Sequence, residues 1–444
     1  MMLRVLSTAL AVLAVVSVSI TLPAPQASPF VSPQAAPQAL TPGITLIGKG
    51  VISGEALDKS GLTGVTCQAG APANCVPKAI FGGFGSDITY TGHDNVFIAA
   101  PDRGPFDGLT DVAYLDRFHV LHITTEVGAA FPNIRTTLLD TRFLKDENGD
   151  TFVGAAGSFA NRLDPEGIRV SPHGTFYVSD EYGPFVMEFN RQGNLIRRIA
   201  VPPKFFIANP SGNPNDELTG NSAGRQANRG MEGLAISPDG STLFGMMQNA
   251  LIQDNGLSGL DRLGLNNRIL KIDLKTGQTK EYVYVLEAIN RGQGTCEILA
   301  INDHEFLVID RDNRSNLQSP PQAPTRKKIY KIDLTGATDV SGITLPAGAL
   351  PAEVTPVGKS LFIDLLDADL NLAATIPEKI EGLAWGPDLP DGRHVLYVIS
   401  DNDLNPALAT QIYAFAIAPS LIDFEPQVFH GPFYPPGQVK KALK

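Results

Sequence analysis

One phrase recurs along the chain: a short apolar strand opening on an acidic residue, a turn, and a second apolar strand ending in polar residues. The fullest copy runs Glu232-Gly233-Leu234-Ala235-Ile236, turns at Ser237-Pro238-Asp239-Gly240, and returns through Leu243-Phe244-Gly245-Met246-Met247 to Gln248-Asn249. Proline and Asp-Gly favour the turn, and the flanking runs have strand length and composition. Glu166-Gly167-Ile168 leads through Ser171-Pro172-His173-Gly174 to Tyr177-Val178-Ser179-Asp180-Glu181. Glu297-Ile298-Leu299 leads through Asn302-Asp303 to Val308-Ile309-Asp310-Arg311-Asp312. Glu381-Gly382-Leu383-Ala384-Trp385 leads through Pro390-Asp391-Gly392 to Val398-Ile399-Ser400-Asp401. A diverged copy joins Ser86-Asp87-Ile88 to Ala99-Ala100-Pro101-Asp102-Arg103. One such unit cannot bury its own apolar face, but an array can, so the repeat decides the fold.

Further apolar segments follow the hairpins, such as Arg268 to Leu274 and Thr279 to Leu286 in the third copy, and Val186 to Asn190 and Leu195 to Val201 in the second. Four antiparallel strands per unit predict an all-β chain, a β-propeller with five visible repeats. The opening positions 86, 166, 232, 297 and 381 lie 65 to 84 residues apart, beyond the roughly 40–50 residues of compact blades. The excess falls in loops at 104–116, 209–228, 253–267 and 316–326. A sixth blade, from the termini or from residues 338–372, is compatible with these lengths. Ile44 to Ile52 has no local partner and is assigned to close the ring against the last unit, which leaves no open edge.

Ahead of that strand, Arg4 precedes an apolar run from Val5 to Leu22, then small residues and prolines. This reads as a secretory signal peptide over 1–27, followed by a Pro/Ala-rich linker over 28–43 and a single propeller domain over 44–444. A membrane anchor is the competing reading of the run; its Ser-rich end and the Pro/Ala tract favour cleavage. The expected location is extracellular, or periplasmic in a Gram-negative source, with no membrane association after cleavage. Cys67 and Cys75 are placed to close a small disulfide ring after export, and Cys296, on an inner strand, is expected to be buried and inert. The net charge of −11 argues against nucleic acid as a partner and suits divalent cations. A monomer acting on a small-molecule ester or phosphoester is the expectation.

In a blade the start of the first strand and the end of the second lie at the same end of the central channel. The first position supplies Glu166, Glu232, Glu297 and Glu381, and the second supplies Asp180, Asp310 and Asp401. Carboxylates crowded round one axis are unfavourable without a positive partner, and hard oxygens in such number suit Ca²⁺ better than zinc. The competing reading is that each glutamate only accepts backbone amides and holds the ring together. Arg162, Arg229 and Arg291 precede these glutamates and, with Arg103 and Arg311, form a candidate cationic rim for phosphate or carboxylate oxygens; surface ion pairing is the plainer role. Asp146-Glu147-Asn148-Gly149-Asp150 lacks the later glutamate of a calcium loop and reads as a solvated turn.

The phrases Asp164-Pro165-Glu166-Gly167-Ile168, Ser179-Asp180-Glu181-Tyr182-Gly183-Pro184 and Asn228-Arg229-Gly230-Met231-Glu232-Gly233-Leu234-Ala235-Ile236-Ser237-Pro238-Asp239-Gly240 resemble the phytase-like family, secreted proteins described as having an esterase-like activity of phytase. The resemblance covers roughly Gly43 to Ile417 and implies a propeller. By analogy with calcium-dependent propeller phytases, it also implies phosphoester hydrolysis at a calcium-lined mouth. Under it, Glu166, Glu232 and Asp180 bind the ion and act in catalysis, while Arg229 and Arg162 hold phosphate oxygens. Glu381-Gly382-Leu383-Ala384-Trp385 is also similar to the opening strand of calcium-dependent propeller lactonases, so a lactonase or arylesterase is the second enzymatic reading. A non-catalytic extracellular binding propeller with structural calcium is the third.

Overall fold

In the computed structural model, which describes residues 41–154, 161–183, 186–287 and 294–444, each repeat becomes one four-stranded antiparallel sheet. Blade 1 comprises Asp87–Tyr90, Val96–Ala100, Arg117–Thr125 and Ile134–Phe143. Blade 2 comprises Pro165–Val170, Phe176–Asp180, Val186–Phe189 and Leu195–Ile199. Blade 3 comprises Met231–Ile236, Thr242–Met247, Asn266–Asp273 and Thr279–Val285. Blade 4 comprises Gly294–Ala300, Glu305–Arg311, Lys327–Asp333 and Gly358–Asp364. Blade 5 comprises Lys379–Trp385, His394–Asp401 and Thr410–Ile417, and Ile44–Ile52 completes it from Ile44↔Ile417 to Ile52↔Thr410. The first strands of the five blades pack on one another in a closed cycle. Residues 338–372 build no sixth sheet among the described residues: Gly358–Asp364 is the outer strand of blade 4, and Val340, Leu345 and Val354 pack on Val283 of blade 3. The leader, the linker up to residue 40 and Arg291 lie outside the described residues.

The core lies between successive blades because strand alternation turns one apolar row toward each neighbour. Blades 3 and 4 meet through Phe244 and Met246 against Phe306 and Val308, with the two phenyl rings 4.5 Å apart. Blades 4 and 5 meet through Leu307 and Ile309 against Leu383 and Val398, and blades 1 and 2 through Ile98 and Val120 against Ile168 and Val178. Each such side chain, fully buried, contributes about 1.5–3 kcal/mol. No helix among the described residues is long and apolar enough to cross a membrane.

Two features tie the ring across its axis. Arg169 of blade 2 is buried in the channel and pairs with Asp87 of blade 1 at 2.5 Å and Glu297 of blade 4 at 2.9 Å. Asp87 also accepts the backbone amide of Ile168 at 2.6 Å. At the end of the channel that carries the hairpin turns, the C-terminal segment runs across three blades. Its amides at Glu425, Val428 and His430 donate to the carbonyls of Ile301, Pro238 and Pro172, in blades 4, 3 and 2.

Removing the charge of Arg169 leaves two carboxyls in the channel without their cation. The expected result for Arg169→Met is a loss of about 3–5 kcal/mol in unfolding free energy, read by denaturant titration. A loss under about 1 kcal/mol would mean that the blades hold together without this bolt.

Candidate functional site: a carboxylate-lined mouth

The side chains at the mouth are aimed by a bulge at the start of the inner strands. In blade 3 the pairing passes from Met231↔Met247 to Gly233↔Met246, so Glu232 is the extra residue. In blade 5 it passes from Ile380↔Ser400 to Gly382↔Ile399, and Glu381 is extra. Blade 2 shifts between Pro165 and Ile168, around Glu166. A bulge of this kind re-aims one side chain and leaves the ladder on either side intact. In blade 4 the shift lies between Thr295 and Glu297, so the bulged residue is Cys296. Glu297 therefore sits one residue deeper, at the place held by Gly233 in blade 3, and joins Arg169 rather than the mouth. A side chain on Gly233 would itself meet Glu297 Cα at 2.8 Å and Ile298 N at 2.7 Å, so the close inner packing requires glycine there.

The second strands obey the same phase. Counting along their pairing, Glu181, Gln248, Arg311 and Asp401 occupy equivalent places, with Asp102 of blade 1 following Ala100 in the same way. Asp180 and Asp310 come one residue earlier and face away from the mouth. Asp180 accepts the amides of Asp164 at 3.0 Å, Tyr182 at 3.1 Å and Gly183 at 3.2 Å. Asp310 lies by Tyr284 Oη at 3.4 Å, with Arg326 and Lys359 each 3.7 Å away.

Among the described residues three acidic clusters result, each holding potential ligand atoms within 4.8 Å of one another, and each carries its own cation. Glu232, Cys296 and Glu381 form the first: Arg311 pairs with Glu381, Gln248 donates to Glu232, and Arg229 donates to Gln248. Glu232 is buried, and its Oε2 has no hydrogen-bond partner among the described residues. Asp164, Glu166 and Glu181 form the second, with Arg103 at 3.1 Å from Asp164 and 3.6 Å from Glu181. Asp102, Asp401 and Asp403 form the third, with Lys379 bonded to Asp403 and 3.6 Å from Asp401. A cavity of about 520 Å³ opens over members of all three, lined also by Cys75 of the Cys67–Cys75 disulfide and by Asn228 and Asn313 from the long loops. Arg162 stacks over the Tyr182 ring at 4.3 Å and lines the neighbouring cavity of about 270 Å³.

Crowding and burial act together on these groups. Burial, then the Glu232, Asp164 and Glu181 charges, hold the Glu166 carboxyl well above the usual range. Burial and the Glu181 and Glu381 charges do the same for Glu232, against Arg229 and Arg311. Burial brings Asp102 and Asp180 to about 6. Asp116 is buried with neither oxygen hydrogen-bonded among the described residues and is raised well above the carboxylate range by burial and Asp164. The mouth therefore has two ways to relieve its charge, protons or a cation.

The donor chemistry distinguishes the clusters. The second and third offer carboxylate oxygens alone, the ligand type of Ca²⁺. The first includes a thiol, a softer ligand than calcium selects. Cys296 and Asp164 carry no role in the sequence reading, and the ion pairing it gives the arginines is found buried within the clusters at Arg103 and Arg311 rather than at the surface. The signal for Cys296 was the glycine after each true ring glutamate, at 167, 233 and 382, which Glu297 lacks.

The raised carboxyls have a definite sign. A carboxyl whose native pKa exceeds its unfolded value stabilises the fold below about pH 4 and loses that contribution as pH rises through its native pKa. For Asp102 and Asp180 that loss runs from about pH 4 and is nearly complete once pH passes their native value of about 6. In chelator, the melting midpoint is expected to be higher at about pH 5 than at about pH 7.5, and a divalent cation is expected to close the gap. A midpoint that rises with pH in chelator would mean that the mouth acids are comfortably ionised without an ion.

Among known proteins, the chain is 29% identical to an uncharacterized secreted protein of Arthroderma benhamiae, over 81% of this chain and 86% of that one. The expectation of a location outside the cytoplasm agrees with it. Among solved structures it is similar to a GH43 beta-1,3-galactosidase with galactodeoxynojirimycin, at 9% identity and a TM-score of 0.38, covering 82% of this chain and 94% of that one. A GH130 protein from work on hydrolases of beta-1,2 mannosidic linkages in Candida mannan gives 9% identity and a TM-score of 0.39, covering 89% and 99%. Residues 79–404 match the family described as "Phytase-like: Esterase-like activity of phytase", and the chain belongs to that family.

Proposed function

We propose that the protein is an exported, metal-dependent hydrolase of ester bonds, working at the mouth of the propeller, with phosphoesters as the first substrate class and calcium as the ion. One observation carries the reading: two oxygen-only acid clusters and one cysteine-bearing cluster border a single cavity together with Arg103, Arg229, Arg311 and Lys379. The buried, unpartnered Oε2 of Glu232 is the kind of atom an ion or a proton must satisfy. A calcium ion held by Asp164, Glu166 and Glu181, or by Asp102, Asp401 and Asp403, would supply the charge that polarises a phosphoryl or acyl oxygen.

The chain's own groups have complementary tasks in this reading. Arg229 and Arg311 line the cavity and orient substrate oxygens by charge-assisted hydrogen bonds. With the ion at Asp102, Asp401 and Asp403, Glu166, whose carboxyl burial and then its acidic neighbours hold above the usual range, is suited to give a proton to the leaving oxygen. Asp180 is a positioning residue: by holding the amides of Asp164 and Tyr182 it sets the direction of Asp164 and Glu181. The lactonase or arylesterase reading has its own support, since acids outnumber cations around the cavity and a neutral ester enters such a mouth without repulsion.

The test is a panel of nitrophenyl phosphate, phytate, a nitrophenyl carboxyl ester and a lactone, each with calcium and with chelator. Hydrolysis of one class is expected with calcium and not with chelator. Glu232→Gln is expected to lower kcat/KM by about 10²–10⁴-fold with little change in melting midpoint. Full activity in chelator removes the metal from the reaction. Inactivity on every ester, with calcium still raising the midpoint, makes the mouth a binding site without catalysis.

A further inference from the structure

The channel has a second opening, at the end crossed by the C-terminal segment. A cavity of about 280 Å³ lies there, between the inner-strand ends of the blades and residues 424–429. Its walls are aromatic: Trp385 and Phe424 have ring centroids 4.8 Å apart, and Tyr90 and Phe429 meet edge to face at 6.2 Å. Its inner end is Arg169.

Arg169 is almost fully buried, and its two terminal nitrogens are taken up by Asp87, Glu297 and the carbonyls of Ile88, Ile168 and Ile298. Its Nε–H is buried and has no acceptor among the described residues. A buried donor without an acceptor is costly, and here it belongs to a residue lining a cavity. We infer that this opening is a second binding site, for a neutral planar aromatic or heteroaromatic molecule that presents one hydrogen-bond acceptor, such as a carbonyl oxygen, to Arg169.

Charge and size narrow the ligand. Asp87 and Glu297 already share the guanidinium charge, and Asp388 and Glu425 stand among the lining groups, so an anion is repelled at both ends. A cation offers Nε–H no lone pair and meets a guanidinium at the inner end. The volume is at the lower limit of ligand pockets, which run about 300–1,000 Å³, and suits one or two fused rings stacked against the aromatic walls. The mouth and its acids take no part, so this inference stands or falls independently of the hydrolytic reading.

Trp385 is the chain's only tryptophan, so its emission reports on this pocket. The probe is 6-propionyl-2-(dimethylamino)naphthalene, a neutral two-ring ketone, titrated into the full chain with excitation at the red edge of the indole band. The expected result is saturable quenching of Trp385 with matching, blue-shifted probe emission. Ala300→Phe, which adds a ring to the lining, and Phe424→Ala, which removes a wall, are each expected to raise Kd by at least about tenfold, while Glu232→Gln leaves it unchanged. The inference is overturned if Trp385 of the native chain shows no saturable quenching, a result that needs no variant to fold. It is equally overturned if both pocket variants bind as the native chain does, or if Glu232→Gln abolishes binding.

Discussion

The Arg169 guanidinium between Asp87 and Glu297 is the interaction on which the rest of the molecule depends. A ring of sheets packed by their faces leaves its axis open, and this axis is too narrow for bulk solvent to stabilise charge. One cation reaching two carboxyls from non-adjacent blades fixes blades 1, 2 and 4 relative to one another. Such a pair is poor evidence of net stability, because desolvation offsets much of the attraction. Its value is specificity, since a change of blade spacing or register would strand buried charge.

That fixed axis lets the mouth hold an arrangement that would otherwise spread apart. Nine carboxyl or thiol groups stand in three clusters, with Arg103, Arg311 and Lys379 each placed against one of them. Eight carboxyls against four cations, Arg103, Arg229, Arg311 and Lys379, leave a local deficit of positive charge, which burial magnifies. The rigid inner strands prevent the acids from relaxing into water, so the deficit persists as an affinity for protons or a cation. Electrostatic strain of this kind is common where structure has been set by a site rather than by stability.

The fold was legible because the repeat is periodic in turn chemistry and hydrophobicity together, and five copies leave few alternatives. The closing strand was legible for a negative reason, as Ile44 to Ile52 had nowhere else to pair. The site was legible only to within one residue. Glu297 reads as a member of the glutamate ring because it carries the same letter, yet the bulge in blade 4 falls on Cys296. Asp180 and Asp310 read as mouth residues because they are the first acids at the strand ends, yet strand alternation turns Glu181 and Arg311 to the cavity instead. A shift of one residue reverses a strand's faces, and acidic identity carries no information about phase. The glycines did carry it: at 167 and 233 a Cβ would run into the backbone nitrogens of Leu234 and Ile298 in the next blade.

The pairing of Ile44–Ile52 with Thr410–Ile417 also has a temporal meaning. The first propeller strand to leave the ribosome is the last to find its partner, and the loop it closes spans almost the whole domain. Contacts of such separation slow folding, since the chain must be nearly organised before they yield any gain. Until then the chain carries two unpaired strand edges, one near each end, that are complementary to each other and therefore to those of a second copy. Exchange of this strand between two molecules is thus the hazard built into the ring's closure, and concentration during folding decides between a closed ring and a linked pair.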